Sequence, residues 1–368
     1  MRKLINWIIN ILALVFGLLL LCSYISRIVS PEDFWPISFL GLIFPVLLII
    51  NIILLVLLIL NKSKFTFVIV VILILGWKPI QESFQLFSKK EMKEEKSGVR
   101  IMSYNAQVFD YFRWKNEKNS GQMLLDYVSQ EQPDIICFQE FLANKRGNNG
   151  VGIIQKLLDF APNKLTNYIY KGRSSEIGMV IFSKYPVVNT DQDVQADKDT
   201  YYHFADVKIN NDTIRVFNVH LESNRLSEEQ VNLLDSLIIT NPKKHKTEYF
   251  GIIQNLKASY IKRAGQAKKL REKILNSPYP VIVAGDFNDT PISFAYRTIS
   301  NDLEDAFVSS GRGMGATYKE FKLPLRIDYL LHSPEIKSSG FTNHNVGYSD
   351  HRPIEATFWI NGSEGKRR

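Results

Sequence analysis

Residues Val281–Asn288 read Val-Ile-Val-Ala-Gly-Asp-Phe-Asn. Four apolar residues in succession leave no polar face, which marks a strand buried on both sides. The run ends at a glycine and a carboxylate, so an acid stands where the strand leaves the core. Taken alone, Asp-Phe-Asn is also an ordinary turn, because Asp and Asn bond their own backbone and cap helices. What decides is whether the pattern recurs.

It recurs along the chain. Val99 to Tyr104 is followed by Asn105, and Ile135 to Gln139 ends at Gln139 and Glu140. Ile214 to His220 ends in an imidazole, Arg326 and Asp328 flank the start of Ile327 to Leu331, and Ser349, Asp350 and His351 follow later. Gly178 to Phe182 is a further apolar run. Each of these polar residues alone reads as a rim or turn residue. Asp328 is less ordinary, because a carboxylate inside an apolar run is costly unless paired.

Helical patterns alternate with the strands. Gln122 to Gln130 is one, and Thr247 to Asn276 is another, with Phe250, Ile253, Leu256, Tyr260, Ala264, Ala267, Leu270 and Ile274 at gaps of three and four residues. That spacing expects one buried stripe and a solvated basic face. Strands mixed with helices point to an α/β or α+β layered domain beginning at Val99 and extending to residue 361. Its 263 residues are enough for a full core.

Before this domain the chain is much more apolar. Residues 4–25 form a run of the length needed to cross the hydrocarbon layer, about 20 residues. A cleaved signal would have an apolar stretch of only about 7 to 15 residues. Residues 37–60 form a second run and 65–80 a third, the latter reaching full length only if Lys78 snorkels. Residues 1–88 are thus expected to be an anchor of two to three transmembrane helices, followed by a charged linker over 89–98. Arg2 and Lys3, then Lys62 and Lys64, favour the cytoplasmic side. Three crossings place the later domain on the non-cytoplasmic side of the cell membrane, although Lys89, Lys90, Lys93 and Lys96 pull the other way.

The formal charge of +8 misleads about the domain. Residues 1–90 carry eight Lys or Arg against three acids, which leaves only +3 for residues 91–368, mostly from a basic tail over 362–368. A strongly basic nucleic-acid surface is therefore not indicated by charge. Two cysteines, Cys22 and Cys137, cannot form a disulfide framework.

In order and approximate spacing, Asn105, Gln139-Glu140, His220, Gly285-Asp286-Phe287-Asn288, Asp328 and Ser349-Asp350-His351 resemble the endonuclease/exonuclease/phosphatase superfamily, the deoxyribonuclease I-like fold. The resemblance covers about Val99 to Trp359 and is that of a membrane-anchored bacterial member. It implies a four-layer α/β sandwich of two mixed sheets with helices outside, and a site at one edge where loops from both sheets meet. Abasic-site endonucleases, inositol polyphosphate 5-phosphatases and bacterial sphingomyelinases share this fold.

A divalent cation needs hard oxygen ligands, and Glu140 is the best candidate. The resemblance implies that Asn105 and Asp350 complete or border the metal site and that Gln139 supports it. No soft Cys/His cluster has zinc spacing, so Mg²⁺ is expected, with Mn²⁺ as a substitute. No Ser, Cys or His stands in a nucleophile elbow, which favours direct attack by water. The resemblance implies that Asp286 activates that water, Asn288 bonds water or phosphate, and His220 and His351 donate to the phosphate. Asp328 would grip His351, and a hydrogen bond between the two is expected.

The expected activity is metal-dependent phosphoesterase chemistry, first a nuclease-type phosphodiesterase on nucleic acid. The alternatives are a phosphatase or phospholipase C-like enzyme for lipid head groups or small phosphorylated molecules, and a non-catalytic binding module tethered to the bilayer. Lys145, Arg146, Arg312 and Lys319 lie in loops able to meet phosphates. No substrate-binding residue is singled out.

Overall fold

The structure is a computed structural model that describes residues 2–86, 98–110, 120–144, 156–173, 175–190, 201–226, 230, 231, 233, 246–321 and 323–360. The expected basic tail, all of the expected linker except Gly98, and Lys145 and Arg146 lie outside the described residues. By contacts the chain forms two units. One comprises Met1–Phe84, Ser223–Lys268 and Asp289–Ile299, and the other Gln85–Glu222, Lys269–Asn288 and Ser300–Arg368.

The first unit opens with one continuous helix, Arg2–Ile25. It is the single described helix that is by itself long and apolar enough to cross a membrane. The runs expected as straight helices over 37–60 and 65–80 are each broken. Pro31–Leu42 meets Phe44–Leu60 at 55°, and Phe65–Leu75 meets Trp77–Ser83 at 62°. The cause lies in Pro45 and Pro79, whose rings collide with the carbonyl four residues back and whose nitrogens carry no proton. Those carbonyls belong to Gly41 and Leu75, at or next to the ends of the preceding helices. Asn51, buried among apolar neighbours, donates from Nδ2 to the Phe16 and Leu47 carbonyls at 3.0 and 2.8 Å.

The helix Lys246–Leu275 begins in this unit. Its buried stripe differs from the expected one at the start, since Phe250 is 63% and Ile253 39% exposed while Ile252 is 2% exposed. Ile252, Leu256 and Tyr260 pack together at i, i+4 spacing, with Phe39 against Tyr260. The periodicity is right from Leu256 onward; the extra apolar residues at the first turn shift its apparent origin.

The second unit holds two six-stranded mixed sheets. In chain order the strands are β1 Val99–Asn105, β2 Ile135–Asn144, β3 Asn163–Lys171, β4 Ser175–Ser183, β5 Val187–Thr190, β6 Tyr202–Ile209, β7 Asp212–His220, β8 Val281–Asp286, β9 Glu304–Asp305, β10 Asp328–His332, β11 Ile336–Asn343 and β12 Ile354–Ile360. One sheet runs β11-β12-β1-β2-β4-β3 and the other β5-β6-β7-β8-β10-β9. Ile101, Cys137 and Ile181 of the first meet Val216, Ile282 and Leu330 of the second in one dry core. Helix Ser120–Glu131 covers the outer face of the first sheet through Leu124, Leu125 and Val128. This is the α/β sandwich the resemblance implies.

Strand direction positions the polar residues. β1 and β2 are parallel, as are β7 and β8, so the end of β7 lies beside the end of β8 and the end of β1 lies beside Gln139 of β2. β10 runs antiparallel to β8 and β12 antiparallel to β1, so both begin where those strands end. The last residues of β1, β7 and β8, Gln139 and Glu140 from the middle of β2, which continues to Asn144 past the end expected at Glu140, and residues at or before the start of β10 and β12 are thereby gathered at one edge. Asp286 pairs with His220 on one side and Asp328 on the other, an unbroken row across three strands.

A separate ionisable group sits deep in the second sheet. His203 on β6 is 3% exposed, and neither ring nitrogen has a hydrogen-bond partner among the described residues. Burial disfavours its cationic form and pushes its pKa down to about 3. The unfolded chain takes up this proton near the ordinary value of about 6.5, so the native state loses stability as pH falls from there toward about 3. We expect the denaturant-unfolding free energy to fall more steeply over that range in wild type than in His203→Gln. Equal slopes would show that His203 is not buried neutral.

Candidate active site

Asp286 ends β8 and has no exposure. Two donors hold its carboxylate: Asn105 Nδ2 to Oδ2 at 3.0 Å and the Asn288 backbone N–H to Oδ1 at 2.7 Å. The first of these bonds joins the two sheets. Burial pushes the pKa of Asp286 up to about 6, His351 and His220 oppose that rise, and Asp328 adds to it.

His351 lies on the far side of Asp286. Its Nδ1 meets Asp328 Oδ2 at 2.9 Å, the hydrogen bond expected from the sequence, and its Nε2 points at Asp286 Oδ2 from 3.7 Å. Burial alone would lower the pKa of this imidazole. The charges of Asp328, Asp286 and Asp350 outweigh burial and raise it well above the ordinary value. Asp328 is fixed in turn by its own backbone N–H, which donates to Thr317 Oγ1 at 3.2 Å.

His220 Nε2 stands 3.6 Å from Glu140 Oε1 and 3.8 Å from Asp286 Oδ2. These distances exceed a hydrogen bond, and Nε2 is buried with no hydrogen-bond partner among the described residues. Glu140, His220, Asp286 and His351 thus turn polar atoms toward a common space instead of satisfying one another. A buried donor left in this way implies a polar guest.

Local backbone geometry produces the convergence. Glu140 has φ 48° and sits where the β2/β4 register shifts between Phe138 and Phe141. The irregularity turns the residue after Gln139 out of the ladder. Asn288 likewise has φ 52°, and its Nδ2 donates to the Leu221 carbonyl at 3.0 Å, tying together the loops after β7 and β8. At Gly285 an added Cβ would lie 2.0 Å from the Val219 carbonyl oxygen, so β7 and β8 approach as only glycine permits.

Asp350 is set by the Ser349-Asp350-His351 turn. Ser349 Oγ donates to the Asn105 carbonyl at 2.8 Å and accepts from His351 N at 3.1 Å, while Asp350 N–H donates to Gln107 Oε1 at 3.0 Å. Tyr318 stacks edge-on against His351 at 5.2 Å. Burial pushes its hydroxyl pKa up, and Asp350, Glu320, Asp286 and Glu140 push in the same direction. Carboxylates therefore dominate the field there, and their oxygens are of the hard type that Mg²⁺ or Mn²⁺ takes. Glu140 and Asp350 offer oxygens of this kind, while the side-chain oxygen of Asn105 accepts from the Gln107 N–H at 3.0 Å. The ligand atoms of Asp286, Asp328 and His351 also lie within 4.8 Å of one another. Because Asp328 holds His351 in its protonated form, which offers no lone pair, that trio suits a proton better than a metal.

Gln139 lies behind the cleft. It is fully buried, and its Nε2 donates to Asn218 Oδ1 at 2.7 Å across the sandwich. Asn218 Nδ2 in turn donates to the Phe138 carbonyl at 2.9 Å. Asn218, Thr317, Gln107 and Tyr318 are the contributors that sequence reasoning missed; a polar residue inside the run Ile214 to His220 was the available signal for Asn218. Lys319, expected near phosphate, donates from Nζ to the Val346 carbonyl at 2.9 Å.

The family described as Endonuclease/Exonuclease/phosphatase family matches residues 102–351. Residues 2–83 match a family described as Domain of unknown function (DUF8431). Among solved structures, the chain is similar to an endonuclease/exonuclease/phosphatase from Bacteroides vulgatus at 18% identity and TM-score 0.51, covering 72% of this chain and 99% of that one. It is also similar to D. rerio TDP2 humanized by 14 mutations, at 17% identity and TM-score 0.49, covering 72% and 99%. Truncated Caenorhabditis elegans TDP2 aligns at 20% identity and TM-score 0.46, covering 71% and 97%. A comparison with curated proteins finds no match. At such identity the Bacteroides vulgatus likeness speaks to the fold.

Replacing Asn218 by Leu would remove the shortest of the three acceptors of Gln139 Nε2, leaving Ser103 Oγ and the Cys137 carbonyl at 3.2 Å, and would take the Asn218 donor from the buried Phe138 and Val180 carbonyls, at a cost of about 1–3 kcal/mol. We expect that loss in chemical denaturation; an unchanged midpoint would show that the bridge is energetically neutral.

Proposed function

The chain belongs to the endonuclease/exonuclease/phosphatase family, and from that premise we propose that residues at the shared sheet edge catalyse attack of water on a phosphate ester. Members of this family are metal-dependent phosphoesterases. The observation that carries the reading for this chain is the row His220, Asp286, Asp328 with His351 above it.

Asp286, ionised above about pH 6, accepts a proton from water as the water oxygen bonds to phosphorus. Asn105 and the Asn288 N–H keep its carboxylate from turning. The remaining amide proton of Asn288 is available to water or phosphate. His351, held cationic by Asp328, and His220 donate to the phosphate oxygens as charge grows and the leaving oxygen departs. Glu140, with Asn105 and Asp350, would hold the divalent cation, which supplies positive charge to the phosphate and leaving oxygen. Gln139 supports this group from behind.

For substrate we favour a nuclease-type phosphodiester, the chemistry that the family's description names first. A second reading, a lipid head group or small phosphoester, is supported by the small net charge of residues 91–368 and by the apolar helix at Lys3–Ile25.

The same reading makes the protein a multi-pass protein of the cell membrane, with its catalytic residues on the non-cytoplasmic side. Each bent helix pair would then be one span. Ser63 Oγ donates to Asn10 Oδ1 at 2.7 Å and Arg27 pairs with Glu82, contacts between the three segments that support this reading.

Two measurements test the proposal. With Mg²⁺ or Mn²⁺ the full-length protein should hydrolyse bis-p-nitrophenyl phosphate, and Asp286→Ala should lower kcat by about 10²- to 10⁴-fold while remaining folded. Retained activity would remove Asp286 from its role. On plasmid DNA or RNA, binding should weaken steeply with added salt as counterions are released. Salt-insensitive activity that depends on vesicle presentation would select the head-group reading.

A further inference from the structure

The loop that carries Asn288 continues without interruption into Asp289–Ile299, a segment of the first unit, and there both ends of its first turn are gripped. Asp289 Oδ2 accepts from Arg263 Nε at 3.0 Å, and Arg263 Nη1 donates to Asn224 Oδ1 at 2.9 Å. Three residues further on, Ile292 is 1% exposed and packs among Ala13, Leu20, Phe44 and Leu47 of the apolar N-terminal helices. Its backbone carbonyl lies 2.8 Å from the Ser26 hydroxyl, which shares its single proton with the Ser23 carbonyl at 2.6 Å. Gly41 closes the other side. A Cβ there would stand 2.5 Å from the Ile292 carbonyl oxygen and 2.8 Å from Ser26 Oγ.

This contact is more specific than tethering requires. A tether needs apolar length alone, whereas here a glycine, a hydroxyl and a buried isoleucine all converge on one carbonyl. Catalytic groups must be held within about 0.5 Å of their working positions, and loops do not do this unaided. We propose that Ser26 and Gly41 are positioning residues for the reaction: by holding Ile292, the N-terminal helices fix the loop from Phe287 onward and so the placement of Asn288 and Asp286. The inference rests on the roles proposed above for those two residues. It makes the apolar N-terminal region a working part of the enzyme.

The test uses the full chain in nanodiscs with Mg²⁺ and bis-p-nitrophenyl phosphate, a soluble substrate indifferent to membrane localisation. Gly41→Val should lower kcat by about 10- to 100-fold, as a displacement near 1 Å does, with KM unchanged and faster amide hydrogen exchange over residues 287–293. Ser26→Ala should show the same pattern more weakly, and Ser26→Thr, which keeps the hydroxyl, should restore wild-type kcat. Wild-type kcat and wild-type exchange in Gly41→Val and Ser26→Ala would overturn the proposal. If Gly41→Val fails to fold, the Ser26 pair decides. If the wild type itself does not hydrolyse the substrate, the functional reading fails, and exchange over 287–293 still decides whether the loop is held.

Discussion

A carboxylate without exposed surface sets the terms for this protein. Removing Asp286 from solvent is costly unless donors and positive charge surround it. The surroundings supply Asn105 from the opposite sheet, the Asn288 N–H from its own loop, and two imidazoles. Each of these was put in place by strand direction before any side chain was chosen. The strain at Glu140 and Asn288, both at positive φ, and the forced contact at Gly285 are local consequences of packing these groups around one buried acid.

Two kinds of polar pair lie within the sandwich and differ in physical character. The Gln139–Asn218 bridge is neutral and joins two sheets whose facing surfaces are otherwise apolar; it fixes how they register without placing charge in the core. Arg215 and Asp206 form a charged, doubly hydrogen-bonded pair at 2.7 and 2.9 Å on neighbouring strands, with the guanidinium lying over Phe204. Such a pair contributes little net stability compared with apolar residues, yet loss of one partner strands a buried charge. Specificity of packing and cost of failure therefore both rise toward the interior of the second sheet.

Much of the edge was readable before the fold was known because polar residues interrupt apolar runs where strands leave the core. Asn105, His220, Asp286 and Asp328 all carry that mark, whereas Glu140 interrupts β2 at an irregularity in its middle. Asn218 does not carry it, because one amide inside a strand looks like any other tolerated polar residue until a partner from a distant strand faces it. The breaks at Pro45 and Pro79 were visible as letters, but apolar length dominated the reading of those segments. At the first turn of Lys246–Leu275, Phe250 and Ile253 mimic the buried stripe because periodicity reports spacing and not which phase faces the interior. The grip on Ile292 was unreadable, since it joins Ser26 and Gly41 to a residue more than 250 positions later.

The pairing of β12 with β1, Val99 opposite Phe358, has a consequence for biosynthesis. The first strand of the sandwich waits on the ribosome until some 250 further residues have been made before one of its two neighbours exists. Asp350 and His351 emerge immediately ahead of that neighbour. β1 therefore gains its second neighbour, and Asp350 and His351 their places beside Asn105 and Asp328, only in the last stretch of synthesis.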